Sequence, residues 1–164
     1  GNLSEVPDGE RIIRNLNYIS LGMRPDQSQF VVAMHHYDRL DIYDNKGELM
    51  SSKRHPNLYK EYDALSIVDP EKGLKNVMGF YKSIDVTNDY IFAVYQKKTM
   101  DEMISDAPST TEVRVFDWQG NPKILLKCKE NLSSIAVDIV RGQLYGYDSD
   151  KERFVRYDIS EIIK

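Results

Sequence analysis

The sequence predicts an all-β fold, a partial β-propeller of about three four-stranded antiparallel blades. Two observations predict it. One strand–turn–strand pattern, Glu112-Val-Arg-Val-Phe-Asp-Trp-Gln-Gly-Asn-Pro-Lys-Ile-Leu-Leu-Lys127, occurs earlier as Arg39-Leu-Asp-Ile-Tyr-Asp-Asn-Lys-Gly-Glu-Leu-Met50 and in reduced form as Arg153-Phe-Val-Arg-Tyr-Asp-Ile159. Gly47 and Gly120 stand at matching turn positions, where a positive backbone angle costs glycine nothing. Short antiparallel strands repeated in tandem are the mark of radially arranged sheets. A β-sandwich would supply the strand number, but its strands have no reason to share a hairpin motif.

The chain taken in order supports this. Residues 1–9 are polar, with a turn signal at Pro7-Asp8-Gly9, and read as a flexible lead-in. Glu10–Arg14 is a short strand candidate belonging to a neighbouring blade. Tyr18–Leu21, Phe30–His35, Leu40–Tyr43 and Glu48–Ser51 then form strands a to d of a first blade. Of these, Phe30–His35 is a continuous apolar run, as expected of a strand buried on both faces. Residues 56–80 form a long connection, with helical turns predicted at Tyr59–Leu65. The second blade takes Lys82–Val86, Tyr90–Tyr95, Glu112–Phe116 and Lys123–Lys127, interrupted by an excursion from Lys97 to Thr111. The third takes Leu132–Asp138, Gln143–Tyr147 and Phe154–Tyr157, with Glu161–Lys164 as the start of a fourth strand. The blades thus span about 10–55, 81–128 and 129–164.

A chain of 164 residues has the length of one domain and can bury a core without staples. Its formal charge of −4, with acids and bases interspersed, leaves no electrostatic footprint for nucleic acid. The one cysteine, Cys128, excludes an internal disulfide and is read as a small packed or half-exposed thiol. No apolar run approaches the roughly 18 residues of a membrane-spanning helix. The chain begins with Gly rather than Met, which leaves an upstream segment open.

The segments Asp38-Arg-Leu-Asp-Ile-Tyr-Asp44, Val115-Phe-Asp-Trp-Gln-Gly-Asn121 and Ile135-Ala-Val-Asp138 with Leu144-Tyr-Gly146 resemble the TolB-like six-bladed propeller proteins of Bacteroides-type bacteria. The resemblance runs from about residue 16 onward. It implies a six-bladed ring, often on an envelope lipoprotein, with a binding role. It also implies a cell-envelope location, periplasm or outer membrane. Three blades make half of such a ring, the C-terminal half. A homodimer or a missing N-terminal half is therefore expected to complete it, because uncovered blade faces would expose rows of apolar side chains.

Strand directions put the b–c and d–a connections on one rim, and both long insertions fall there. Long loops on a rigid scaffold are where binding usually sits. The candidate binding residues are His35, His36, Tyr37, Asp38, Tyr95, Gln96, Tyr147 and Asp148, for a protein or small ligand. Adjacent histidines on a strand point to opposite faces, so no metal is assigned to His35 and His36. Asp148 and Asp150 lack the rest of a calcium loop and read as turn caps. The recurring Asp44, Asp117 and Asp158 read as structural turn residues. Trp118 sits inside a turn, either as an exposed contact or folded back over its own blade, and the second is preferred. The Met100, Met103 and Ile104 cluster could cap the rim. No cofactor is expected and no catalytic residue is assigned, since nucleophile elbow, phosphate loop and zinc signatures are missing. The competing reading is a metal-dependent hydrolase or lactonase on the same fold. It would need inward acids on the a strands, where Ser20, Ser83, Asp85 and Ser134 offer one.

Overall fold

A computed structural model describes residues 18–54, 77–104 and 110–163. The described strands are β1 (Ile19–Met23), β2 (Gln29–Met34), β3 (Arg39–Asp44), β4 (Leu49–Arg54), β5 (Met78–Val86), β6 (Tyr90–Thr99), β7 (Thr111–Asp117), β8 (Pro122–Cys128), β9 (Leu132–Asp138), β10 (Gln143–Asp148) and β11 (Arg153–Asp158). They form three antiparallel meanders: β1–β4, β5–β8 and β9–β11. The first strands of the sheets, β1, β5 and β9, lie side by side. The fold is therefore all-β, with three propeller blades. The expected strand at Glu10–Arg14, the helical turns at Tyr59–Leu65 and most of the 56–80 connection lie outside the described residues.

The recurring aspartates explain the shared hairpin. Asp44 accepts the backbone N–H groups of Lys46 and Glu48 at 2.9 and 2.8 Å. Asp117 accepts those of Gln119 and Asn121 at 3.0 and 2.8 Å. Asp158 accepts the N–H and hydroxyl of Ser160. In the first two corners the glycine three residues on donates back to the Asp carbonyl, at φ of +87° and +77°. The side chain thus satisfies turn donors that the ladder leaves free.

Partial burial alone would raise the Asp117 carboxyl, but hydrogen bonds from Asn121, Lys123 and Gln119 outweigh it and hold the group at about 2. A pKa depressed in the fold contributes stability that is present above the unfolded value near 3.8 and is lost as pH falls through about 2. Asp117→Ala is expected to lose about 1–2 kcal/mol at pH 7. Urea unfolding at pH 7 and at pH 2 should show the gap to the parent protein narrowing in acid, and a gap independent of pH would refute the account.

Register makes the blades equivalent residue by residue. The closing Asp of each third strand pairs with the first residue of each second strand: Gln29 with Asp44, Tyr90 with Asp117, Gln143 with Asp158. Counting from there, Val31, Phe92 and Tyr145 are equivalent, as are Leu40, Val113 and Phe154. Side chains alternate across a strand, so each sheet has a front facing the next blade and a back facing the previous one.

Two cores result. The front of the first sheet (Val31, Ala33, Leu40, Ile42) packs on the back of the second (Ile91, Ala93, Tyr95, Phe116). The front of the second sheet (Phe92, Val94, Val113, Val115) packs on Leu132 and Leu144 of the third. The strand buried on both faces is therefore β6, with Ile91–Tyr95 all buried, and not Phe30–His35, where burial alternates. The reason is position. Among the described residues the middle sheet has a neighbour on each side, and the first sheet has one on its front only.

Trp118 is buried, and its indole N–H donates to the Thr87 carbonyl at 3.0 Å, folding the ring over its own blade as the sequence suggests. Arg24 of the first blade lies over that ring. Strand β5 starts at Met78, four residues before the expected Lys82, and β6 runs on to Thr99. A short helix α1 (Met100–Ile104) follows, closed by a capping box in which Thr99 and Glu102 bond each other's backbone. Met103 rests on Gly79, in the space a Cβ there would take.

The third sheet keeps three strands. After β11 the chain turns at Ser160–Ile162 instead of starting a fourth strand. Ile159 is buried in the core and its N–H donates to the Gly142 carbonyl at 2.8 Å. Ser160 sits where a Cβ on Gly142 would have to be. These contacts pull the chain inward and away from the β11 edge.

Candidate functional site

The rim carrying the b–c connections is built where the blades meet. At the first seam the Tyr95 hydroxyl, on the back of β6, donates to Asp38 Oδ2 at 2.7 Å across the blade boundary. Tyr81 on β5 belongs to the same cluster, its ring meeting Tyr95 edge to face at 5.2 Å. Burial first, then the Asp38 carboxylate, pushes both phenols well above their ordinary range. The Arg114 guanidinium lies over the Tyr95 ring, 3.3 Å from its centroid. A backbone bond from Phe80 N–H to the His35 carbonyl, 2.7 Å, stitches the strands together beside this cluster.

At the second seam a chain of amides and acids crosses between blades. Gln96 donates to Asn131 at 3.1 Å, and Asn131 donates to Asp150 at 2.7 Å. Asp148 accepts the Asp150 N–H at 3.2 Å and faces Arg153 Nε at 3.5 Å, while its second oxygen has no hydrogen-bond partner. Lys82 is half-buried here; burial lowers its amine, and the nearby Asp150 charge works against that.

The two histidines have separate partners. His35 is bonded to the Ser20 hydroxyl at 2.9 Å and stacks on Tyr18, while His36 Nδ1 donates to the Met78 carbonyl at 3.3 Å. Burial lowers both imidazoles, the neighbouring His36 adding to the effect on His35. They are neutral near pH 7.

The predicted residues therefore separate into three groups. Asp38 and Tyr95 meet directly, but Tyr95 is buried within the seam. Gln96 and Asp148 belong to the second cluster, with Asp148 also buried. His35, His36 and Tyr37 are half-buried beside the first seam. Tyr147 stands apart from both clusters, on the front of the third sheet and 5.3 Å edge to face with Phe154. Sequence reasoning missed Tyr81, Arg114, Lys82 and Asn131. Tyr81 lies where the strand begins early, Lys82 and Arg114 read as plain strand residues, and Asn131 stands in a short connection. Each gains its role from a partner in another element, which spacing cannot reveal.

Along the first strands, Asp85 is not a free acid. Its carboxylate accepts the N–H of Val86 at 2.9 Å and that of Val137, on β9, at 2.6 Å. It bridges the second and third blades at the level of the axis. Cys128 is buried, and burial raises its thiol. Its neighbour Tyr157 donates to Glu130.

A profile of the family described as "TolB-like 6-blade propeller-like" matches residues 15–140. No curated protein matches the chain. Among solved structures, it is similar to Hsv2 of Kluyveromyces lactis over 87% of this chain and 33% of that one, at 14% identity and a TM-score of 0.48. It is similar to BamB of Moraxella catarrhalis over 86% and 37%, at 10% identity and 0.43. Hsv2 of Kluyveromyces marxianus matches over 90% and 35%, at 9% and 0.46. The chain spans about a third of the length of these structures. With the repeated Asp corners and the side-by-side first strands, the profile match leads to one conclusion: the chain belongs to the TolB-like 6-blade propeller-like family.

Proposed function

We propose that the chain is half of a binding propeller, the C-terminal half, and that it holds a protein or small ligand on the rim of the long connections without catalysis. The observation that carries this reading is the gathering of polar side chains at both seams on that rim. Asp38, Tyr95 and Arg114 meet at one seam, and Gln96, Asn131, Asp150 and Arg153 near the other. The opposite rim has short turns whose aspartates are committed to their own backbone. Asp85, the one acid among the first-strand candidates, is likewise committed to two backbone N–H groups, which supports a non-catalytic axis. The family resemblance adds a bacterial cell-envelope location, which fractionation of the source cells would check.

The test is site-specific photocrosslinking in those cells. A photoreactive residue replacing Lys97, exposed beside α1, is expected to give a discrete adduct, and one replacing Lys46, on the opposite rim, is not. Adducts only from Lys46 would overturn the rim assignment. A stoichiometric divalent ion in the purified protein would overturn the non-catalytic role in favour of a hydrolase.

A further inference from the structure

The sequence singles out one cluster on the rim, Met100, Met103 and Ile104, and the fold gives one of its members a definite seat. At the rim end of the second sheet, Gly79 on β5 pairs with Lys98 on β6. Gly79 is buried, and the methyl carbon of Met103 stands where a Cβ on Gly79 would be, with the sulfur 3.8 Å from the same position. The Met103 side chain therefore fills a notch that exists because residue 79 has none. Met103 itself is half-buried, which leaves it open to small solutes. The helix that carries it, α1, has five residues, too few to persist on local bonds alone. Its capping box closes the first turn without joining it to another strand. Met103 on Gly79 adds the contact that ties α1 to β5. That strand also holds the first seam. On either side of Gly79, the Met78 carbonyl accepts His36 Nδ1 at 3.3 Å and the Phe80 N–H donates to the His35 carbonyl at 2.7 Å.

We propose that Met103 is an oxidation-sensitive latch: its thioether holds α1 on the rim, and conversion to the sulfoxide by a peroxide releases the helix. The sulfur attacks a peroxide oxygen through a lone pair. An S–O bond forms, the O–O bond breaks and, for hydrogen peroxide, water leaves, so that sulfur is oxidised and the peroxide reduced. A flexible apolar side chain thereby gains a polar oxygen that accepts hydrogen bonds and donates none. The notch has no place for it. Apart from Met103 itself, the atom nearest the Cβ position on Gly79 is the Lys98 carbonyl oxygen, at 3.5 Å, and it too is an acceptor. Two acceptors facing each other leave the new oxygen unsatisfied, whereas release of α1 returns it to water. A sulfoxide reductase restores the thioether, which makes the change a switch. Its regulatory meaning rests on the reading of this rim as the binding surface, but the latch itself does not.

Hydrogen–deuterium exchange of the whole chain, read by mass spectrometry, tests this without any ligand. The amides of residues 99–104 are expected to be protected in the untreated protein. After hydrogen peroxide they should exchange about tenfold faster, with one oxygen gained on Met103, and a sulfoxide reductase should restore protection. Met103→Leu keeps an apolar side chain of similar volume, and its α1 should stay protected under peroxide. Gly79→Ala fills the notch and should speed exchange in α1 without any oxidant, while Ile91–Tyr95 in the core stays protected. Should Gly79→Ala unfold, the oxidation arms still decide. Unchanged exchange in α1 once Met103 carries its oxygen would overturn the proposal. So would α1 amides that are unprotected from the start, a Met103 that peroxide leaves unmodified, or a Met103→Leu protein that responds as the parent does. None of these results touches the rim reading, because the Lys97 adduct is measured without oxidant.

Discussion

Phe92→Ala is expected to lower the unfolding free energy by about 3–5 kcal/mol, measured by urea denaturation at pH 7. Phe92 has no exposure at all and stands on the strand that is buried on both faces. Its ring fills the seam between the second and third sheets with Val94, Val113, Leu132 and Leu144, and Tyr90 meets it edge to face. Neighbours on rigid strands relax little into the space left, so a cavity cost adds to the lost transfer energy. Leu125→Ala, on the half-exposed outer strand of the same blade, is expected to cost far less, within about 1 kcal/mol. If Phe92→Ala costs no more than Leu125→Ala, the seam between these sheets is not where the stability resides.

Arg39→Met is expected to destabilise by about 3 kcal/mol or more. Asp41 is almost entirely shut off from solvent on β3, and Arg39 Nε lies 2.6 Å from its carboxylate. Ser52 and Tyr43 donate to the same group at 2.5 and 3.3 Å. Removing the guanidinium leaves these two neutral donors to compensate a buried negative charge, which they do incompletely. The burial and the Asp41 charge that hold the Tyr43 phenol above its ordinary range belong to the same pocket. Arg39→Met combined with Asp41→Leu should recover most of the loss, since an apolar pair of similar volume has no charge to solvate. A double variant as unstable as the single one would show that the ion pair is not the source of the effect.

The packed blade faces and the Asp117 corner probe the same architecture from opposite directions. Asp117 reports on a local device that works within one hairpin, while Phe92 reports on a face that matters only between blades. The polar clusters at the rim combine both scales. Asp38 sits in a corner of the first blade, but the Tyr95 hydroxyl it accepts comes from the second.

The sequence by itself determined the strands, the Asp-Gly corners and the repeat, and through them the all-β propeller class. Those features depend on side-chain alternation and on hydrogen bonds a few residues apart, which are local and therefore legible. Only the tertiary structure decided which strand is buried twice, where Trp118 and Tyr147 point, and that Asp85 is taken up by the backbone of β9. It also decided that the third blade turns inward after Asp158 instead of adding a strand. Burial on a second face, and the partner of a polar group 52 residues away, are set by how sheets stack, and neither leaves a period or a spacing in the chain.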